Sequence, residues 1–257
     1  MRRGWFHRGW PPLLAAGILL AAWQLFAMSG AVGESVLPSP VRILEQTWLQ
    51  RDALLHHALP TLAATALGFT LSVVSAFVVA SALDFSGLLH RAVMPLLIVS
   101  QTLPMIALAP LVVLWFGFGL LPKVLLVALL TFFPMAIGLL QGFASSDPDQ
   151  QALLRSMGAG RAKVFRHIRM PSAAPYFFSG LRVSITYAVV GAIFAEYAGA
   201  VAGLGVYMQS AKNVFRTDLV LAAVLVSSVV TLALYALVTL VEWLLLPWLR
   251  VERGQPA

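Results

Sequence analysis

Few residues of this chain could do covalent chemistry. It has no cysteine, so disulfides, thiol nucleophiles and Cys-ligated metals are excluded. No histidines and carboxylates fall at metal-ligand spacing and no serine has a base placed for it, so neither a metal, a cofactor nor a catalytic centre is expected. His56 and His57 are adjacent; on a helix they point about 100° apart, which suits interfacial polar residues better than ligands of one ion. The run from Gly117 to Lys123, G-F-G-L-L-P-K, echoes a phosphate loop, but Pro122 replaces its second glycine and no nucleotide site follows. Glu196 closes an apolar run; an acid there could relay protons, as in an ion-coupled carrier. Gln101 and Thr102 stand just before Pro104 within another apolar run, either lining a pathway or bonding a neighbouring helix.

The densest concentration of polar residues is a basic island, Asp147 to Pro171, reading D-P-D-Q-Q-A-L-L-R-S-M-G-A-G-R-A-K-V-F-R-H-I-R-M-P. Burying Arg155, Arg161, Lys163, Arg166 and Arg169 in lipid would cost on the order of 15 kcal/mol, at about 2.5–3.5 kcal/mol per cation at a bilayer centre. The island therefore lies outside the hydrocarbon. Leu153, Met157, Val164 and Ile168 recur on one helical face. Asp147, Pro148 and Gln150 make a helix start with cap, first-turn proline and capping-box partner. Gly158 and Gly160 let the chain turn before a second helical piece. A short helix with an apolar stripe and a basic rim, held at a membrane surface, suits the groove of another protein.

Gly158, Ile168 and Met170-Pro171 fall at the spacing of the cytoplasmic "EAA" loop of ABC importer permeases, EAA-x3-G-x9-I-x-L-P, and the island resembles that loop. Ala152, Leu153 and Leu154 stand where the family has Glu-Ala-Ala, and Met170 replaces its leucine. The resemblance implies that the island is a coupling helix docking into a cleft of a separate ATPase subunit. Its contact residues would be Ala152, Leu153, Met157, Gly158, Gly160, Arg161, Val164, Phe165, Ile168 and Pro171, with the apolar ones supplying affinity.

The elements around the island follow from composition. Hydrophobic residues make up 60% and charged ones 11%, with mean hydropathy +0.88, far from the roughly 25% charged of soluble domains. The 257 residues allow five to seven spans of about 20 residues each. Six are expected: Trp10 to Ala31, a retained helix rather than a cleaved signal; Pro60 to Leu83, rich in small residues; Met94 to Trp115, broken by Pro95, Pro104 and Pro110; Val124 to Phe143; Ala174 to Ala195, with Arg182 snorkelling near its inner end; and Leu219 to Leu246. Between the first two, Ser39-Pro40 opens an interfacial helix with Val41, Leu44 and Trp48 on one face. Asp84 to Arg91 reads as a turn, and Gly199 to Asp218 as a glycine-rich outer loop.

The formal charge of +7 could suggest nucleic acid, but its distribution argues for membrane orientation. With alternating spans, Arg2, Arg3, Arg8, Arg91, the island's five cations, Arg182, Arg250 and Arg253 share one side. Arg42, Arg51, Lys123, Lys212 and Arg216 take the other. The positive-inside rule then puts the island and both termini in the cytoplasm.

A second resemblance covers most of the chain. S-Q-T-L-P (100–104), L-A-P-L (108–111), W-F-G-F-G (115–119), P-K-V-L (122–125), F-F-P (132–134) and A-E-Y-A-G with G-L-G (195–205) are similar to the nitrate/sulfonate/taurine branch of those permeases, which includes importers of thiamine-pyrimidine precursors. It implies an all-α polytopic membrane protein: a six-helix type I ABC importer permease of the bacterial inner membrane. Residues 1–59 would be the N-terminus, first helix and outer segment, 60–246 the transmembrane domain, and 247–257 a cytoplasmic tail. Its implied partners are ATP-binding cassette subunits, a periplasmic or lipid-anchored solute-binding protein, and a second permease copy. Gln101, Thr102, Met105, Tyr187 and Glu196 are the candidate translocation-path residues. The scarcity of ionisable side chains there favours a neutral or modestly polar solute over a strongly anionic one, and the resemblance leaves a pyrimidine or thiamine precursor, a sulfonate, taurine and nitrate open as substrates.

Overall fold

In the computed structural model residues 4–248 are described, with side chains from Trp10 onward. Arg2, Arg3, Arg250 and Arg253, the side chain of Arg8 and most of the 247–257 tail lie outside the described residues. The chain runs α1 (Gly4–Met28), α2 (Pro40–Leu49), α3 (Arg51–Phe85), α4 (Gly87–Ser100), α5 (Met105–Phe116), α6 (Leu120–Ala144), α7 (Pro148–Ser156), α8 (Arg161–Val164), a π-helical turn (Phe165–Arg169), α9 (Met170–Tyr197), α10 (Leu204–Asn213) and α11 (Thr217–Leu245). Among the described residues five helices are long and apolar enough to cross a membrane, with a sixth where α4 and α5, bent by 101°, count as one broken span.

The centre is a sheaf of α3, α6 and α9. On α3 the buried stripe is Thr61, Thr65, Gly68, Ser72, Ala76, Ala80 and Leu83, a row of mostly small side chains at helical spacing that lets neighbouring backbones close in. The α6–α9 crossing is tighter. A Cβ on Gly142 would stand 2.5 Å from the Ala173 Cα, and one on Gly138 would stand 2.8 Å from the Tyr176 carbonyl oxygen. Ser184 Oγ donates to the Thr131 carbonyl across the same crossing at 2.7 Å. Leu, Val and Phe side chains are exposed on the outer flanks, a surface suited to lipid or to neighbouring apolar helices.

The third span differs most from expectation. Of its three prolines only Pro104 breaks the helix; α4 runs through Pro95 and α5 through Pro110. Pro104 is the N-cap of α5, with φ −69° and ψ 114°, and the residue before a proline avoids the helical region. The carbonyls freed at the end of α4 are taken locally. Ser100 Oγ donates to the Leu96 oxygen at 2.6 Å, Thr102 Oγ1 to Val99 at 2.7 Å, and Gln101 Nε2 reaches Leu97 at 3.5 Å. Where lipid offers no hydrogen bonds, that local satisfaction lets a span bend.

Other boundaries shift for identifiable reasons. α3 begins at Arg51 and passes through Pro60 unbroken, so the expected edge at 59–60 falls inside a helix. Its 35 residues extend roughly 50 Å, more than a hydrocarbon core of about 30 Å, and the excess suits its polar N-terminal end with Arg51, Asp52, His56 and His57. The turn expected over 84–91 contracts to Ser86, whose hydroxyl caps α4 by accepting from the Leu89 N–H. The helix expected after Ser39 is α2, capped by that serine, with Ile43 buried and Val41, Leu44 and Trp48 exposed. Arg182 does not snorkel: its Nη1 lies 2.5 Å from Glu242 Oε2 on α11.

Candidate functional site

The island folds as a helical hairpin. Asp147 accepts the Asp149 N–H at 2.9 Å and Pro148 fills the first turn of α7. The side chain that anchors this start is Gln151 rather than Gln150: buried, it donates to the Ser146 carbonyl and hydroxyl at 3.3 and 2.8 Å. At the far end the Ala159 N–H returns to the Leu154 carbonyl at 3.1 Å and the Gly158 N–H to Arg155 at 2.9 Å, the paired bonds of a Schellman cap. Gly158 occupies the left-handed region at φ +83°, where a side chain is strained. Gly160 sits at φ −71°, ordinary extended backbone before α8, so it is not needed for the turn as expected.

Pro171 does not end the second arm either. α8, the π turn and α9 run together from Arg161 to Tyr197. Proline offers no N–H and its ring crowds the carbonyl four residues back. The turn before it is widened, with the Met170 N–H bonding the Phe165 carbonyl five residues away, and a widened turn relieves that crowding. The hairpin is thereby continuous with a helix long and apolar enough to cross a membrane.

The expected apolar stripe is divided. Leu153 and Met157 are 64% and 76% exposed, whereas Val164 is 2% exposed. Phe165 packs between Phe85 and Phe143, with ring centroids at 5.0 and 5.2 Å, and Ile168 is half-buried. The physical reason is the continuity of α8 with α9: its apolar face extends the core of the bundle and is consumed there. Ala152, Gly158 and Arg161 are exposed and remain available. The hairpin's free surface is thus α7 and the turn, with Leu153 and Met157 as its large apolar side chains.

The bend between α4 and α5 creates the second feature, a cavity of about 300 Å³. It brings together Gln101, Met105 and Tyr187, three of the expected path residues, with Ser100, Phe133 and Pro134 also on its wall. Its lining carries no charged side chain. Thr102 is exposed at the bend and does not line this cavity. Ser100 and Pro134 stood only within the S-Q-T-L-P and F-F-P motifs; that Tyr187 of α9 shares a cavity with them required the packing.

Glu196, the remaining expected path residue, does not line this cavity. It is buried, accepting Thr61 Oγ1–H at 2.8 Å and the Gly205 N–H at 2.8 Å, with Lys123 Nζ 3.9 Å away. The Leu204 N–H reaches Thr61 Oγ1 at 2.9 Å, and the Gly203 N–H reaches His57 Nδ1 at 3.2 Å. Three side chains from α3 and α9 thus satisfy three consecutive amides at the start of α10, whose own N-cap, Gly203, has no side chain to do so. A Cβ at Gly203 would lie 2.1 Å from the carboxylate, which explains the glycine. Lys123 completes the cluster by donating to the Ala202 carbonyl at 2.9 Å. Sequence reasoning missed this cap, as it missed Glu242; an acid within the last apolar run was the available signal for the latter. Among the described residues no three His or carboxylate groups are placed to hold a metal ion.

With this geometry in hand, comparison places the chain among known proteins. Residues 68–247 match the family described as binding-protein-dependent transport system inner membrane component. The formylaminopyrimidine transport permease protein ThiX of Halalkalibacterium halodurans is 35% identical over 239 residues, covering 92% of this chain and 95% of its own. The riboflavin transport system permease protein RibX of Chloroflexus aurantiacus is 34% identical, covering 93% and 91%. A crystal structure of an amino acid ABC transporter superposes with TM-score 0.63 at 20% identity, covering 78% of this chain and 98% of that one, a likeness of fold alone.

Proposed function

This chain belongs to the binding-protein-dependent transport inner-membrane components, and on that premise we propose that its 147–171 hairpin is the handle by which a separate ATPase drives it. It is a multi-pass inner-membrane permease subunit of an ATP-driven importer. The observation that carries the coupling reading is the pair Leu153 and Met157, exposed on a capped helix outside the lipid and joined through the π turn to α9. Burying each in an ATPase cleft would contribute about 1.5–3 kcal/mol before association costs. ATP hydrolysis belongs to that partner, and the exposed Arg166 sets orientation more than strength. A solute-binding protein meets the outer face, a second copy of this chain completes the path, and the termini are cytoplasmic.

The cavity at the α4–α5 bend is the proposed stretch of the path. Polar groups of Ser100, Gln101 and Tyr187 set among apolar walls, with no charged lining residue, suit a neutral heteroaromatic solute better than sulfonate, taurine or nitrate. A pyrimidine precursor of the kind named for the ThiX relative fits this chemistry. The ion-coupled alternative is disfavoured because Glu196 is engaged in capping α10.

The test is co-purification and ATP-driven uptake with the Leu153→Asp/Met157→Asp variant. A folded permease that no longer retains the ATPase supports the handle. Undiminished co-purification and uptake overturn it.

A further inference from the structure

Between the α7–α8 hairpin and the α3–α4 turn lies a cavity of about 180 Å³, lined among others by Asp84, Phe85, Arg155, Arg161 and Arg169. Its charges do not balance. Both oxygens of Asp84 are taken by Arg169 Nη1, at 2.6 and 2.5 Å. Arg155 has only the neutral Gln151 amide oxygen, at 3.3 Å. The Arg161 side chain has no hydrogen bond or ion pair among the described residues, and Arg169 Nε is buried without a partner. Three guanidiniums therefore converge on a concavity holding one carboxylate, an arrangement that calls for an oxyanion of at least one negative charge.

The position of Arg155 indicates where that anion comes from. It is two residues from both Leu153 and Met157, hence about 160° around α7 from each. The cavity thus opens away from the face given above to the ATPase, and only this choice of face rests on that reading. Phe85 on its wall and Leu88 and Leu89 just beyond, on α4, are exposed apolar side chains suited to lipid. The cavity thus lies between an exposed apolar surface on α4 and the charged hairpin, the pairing that a phospholipid's acyl chains and phosphate require.

We infer that this cavity binds the phosphate of an anionic phospholipid of the cytoplasmic leaflet, tying the coupling hairpin to the α3–α4 turn. The lipid supplies the charge that Asp84 leaves unanswered.

The test is native mass spectrometry of the complete transporter, extracted from vesicles of phosphatidylglycerol and phosphatidylcholine. The wild-type complex is expected to retain phosphatidylglycerol selectively, and Arg155→Ala/Arg161→Ala to weaken retention by roughly fivefold per guanidinium removed. Lys163→Ala/Arg166→Ala, which removes exposed cations of the same island outside the cavity, is expected to retain it. Arg161→Gln, which breaks no hydrogen bond within the protein, gives the same direction of effect without a folding penalty. Equal loss in both double variants, or no loss in the cavity variants, overturns the inference. So does binding of inorganic phosphate in pure phosphatidylcholine vesicles with no selective retention of phosphatidylglycerol. Loss of the ATPase from Arg161→Gln with lipid retention intact would assign the cavity to the protein partner instead, and also overturns it.

Discussion

Arg182 of α9 and Glu242 of α11 meet at 2.5 Å between two transmembrane helices, and Glu242 is otherwise buried. Removing one member leaves a charge without an answer in a medium that solvates it poorly. Glu242→Ala is expected to lower stability by about 3–5 kcal/mol, whereas Arg182→Met/Glu242→Leu recovers most of that loss. Thermal unfolding in detergent, followed by tryptophan fluorescence, compares the two; equal stability of both variants would show the pair to be inert.

The two glycines of the hairpin should behave differently. Gly158→Ala places a side chain at φ +83° and is expected to cost about 1 kcal/mol and to loosen the α7–α8 turn. Gly160→Ala, at φ −71° with nothing within 4 Å of a new Cβ, should be neutral. ATPase retention under mild denaturant is the readout, and equal sensitivity of the two would contradict the capped-turn geometry.

Val164 is buried in the permease, so Val164→Asp is expected to reduce the amount of folded permease itself. A buried charge without a partner costs several kcal/mol. Gel filtration separates this outcome from that of Leu153→Asp/Met157→Asp, which should elute as a normal permease lacking its ATPase.

Glu196→Gln replaces one of two accepting oxygens by an NH₂ group facing either the Thr61 hydroxyl or the Gly205 amide. A cost of about 1–3 kcal/mol in stability is expected, with uptake still driven by ATP and indifferent to an imposed proton gradient. Gradient-driven uptake that disappears in this variant would restore Glu196 to a proton path.

Tyr187 lines the cavity at the bend and is half exposed. Tyr187→Ala is expected to lower solute uptake up to roughly tenfold, from an aromatic contact of about 0.5–1.5 kcal/mol. ATPase activity without solute should be unchanged. A parallel fall in both activities would mark Tyr187 as a packing residue.

Membrane class, most span positions and the hairpin's start were legible in the residues because each rests on local physics. Apolar runs long enough for a bilayer, Asp147-Pro148 at a helix start and cations biased to one side are short-range signals. The resemblance of the 158–171 spacing and of the 100–205 motifs gave the family. What sequence could not rank were the three prolines of the third span. Pro95 and Pro110 lie inside continuous helices, and the break went to Pro104, where Ser100, Gln101 and Thr102 stand ready to take the loose carbonyls.

Tertiary packing decided the rest, since it assigns each side chain one neighbour among many that local patterning allows. Helical spacing grouped Leu153, Met157, Val164 and Ile168 on one stripe, but the continuity of α8 with α9 drew Val164 into the bundle and left α7 outside. Glu196 read as a lone acid until α3 and α10 brought Thr61 and the Gly205 amide to it. Arg169 found Asp84, 85 positions earlier in the chain. Sequence by itself specified a membrane bundle with a basic hairpin; the fold alone determined which charges answer one another and which wait for a partner.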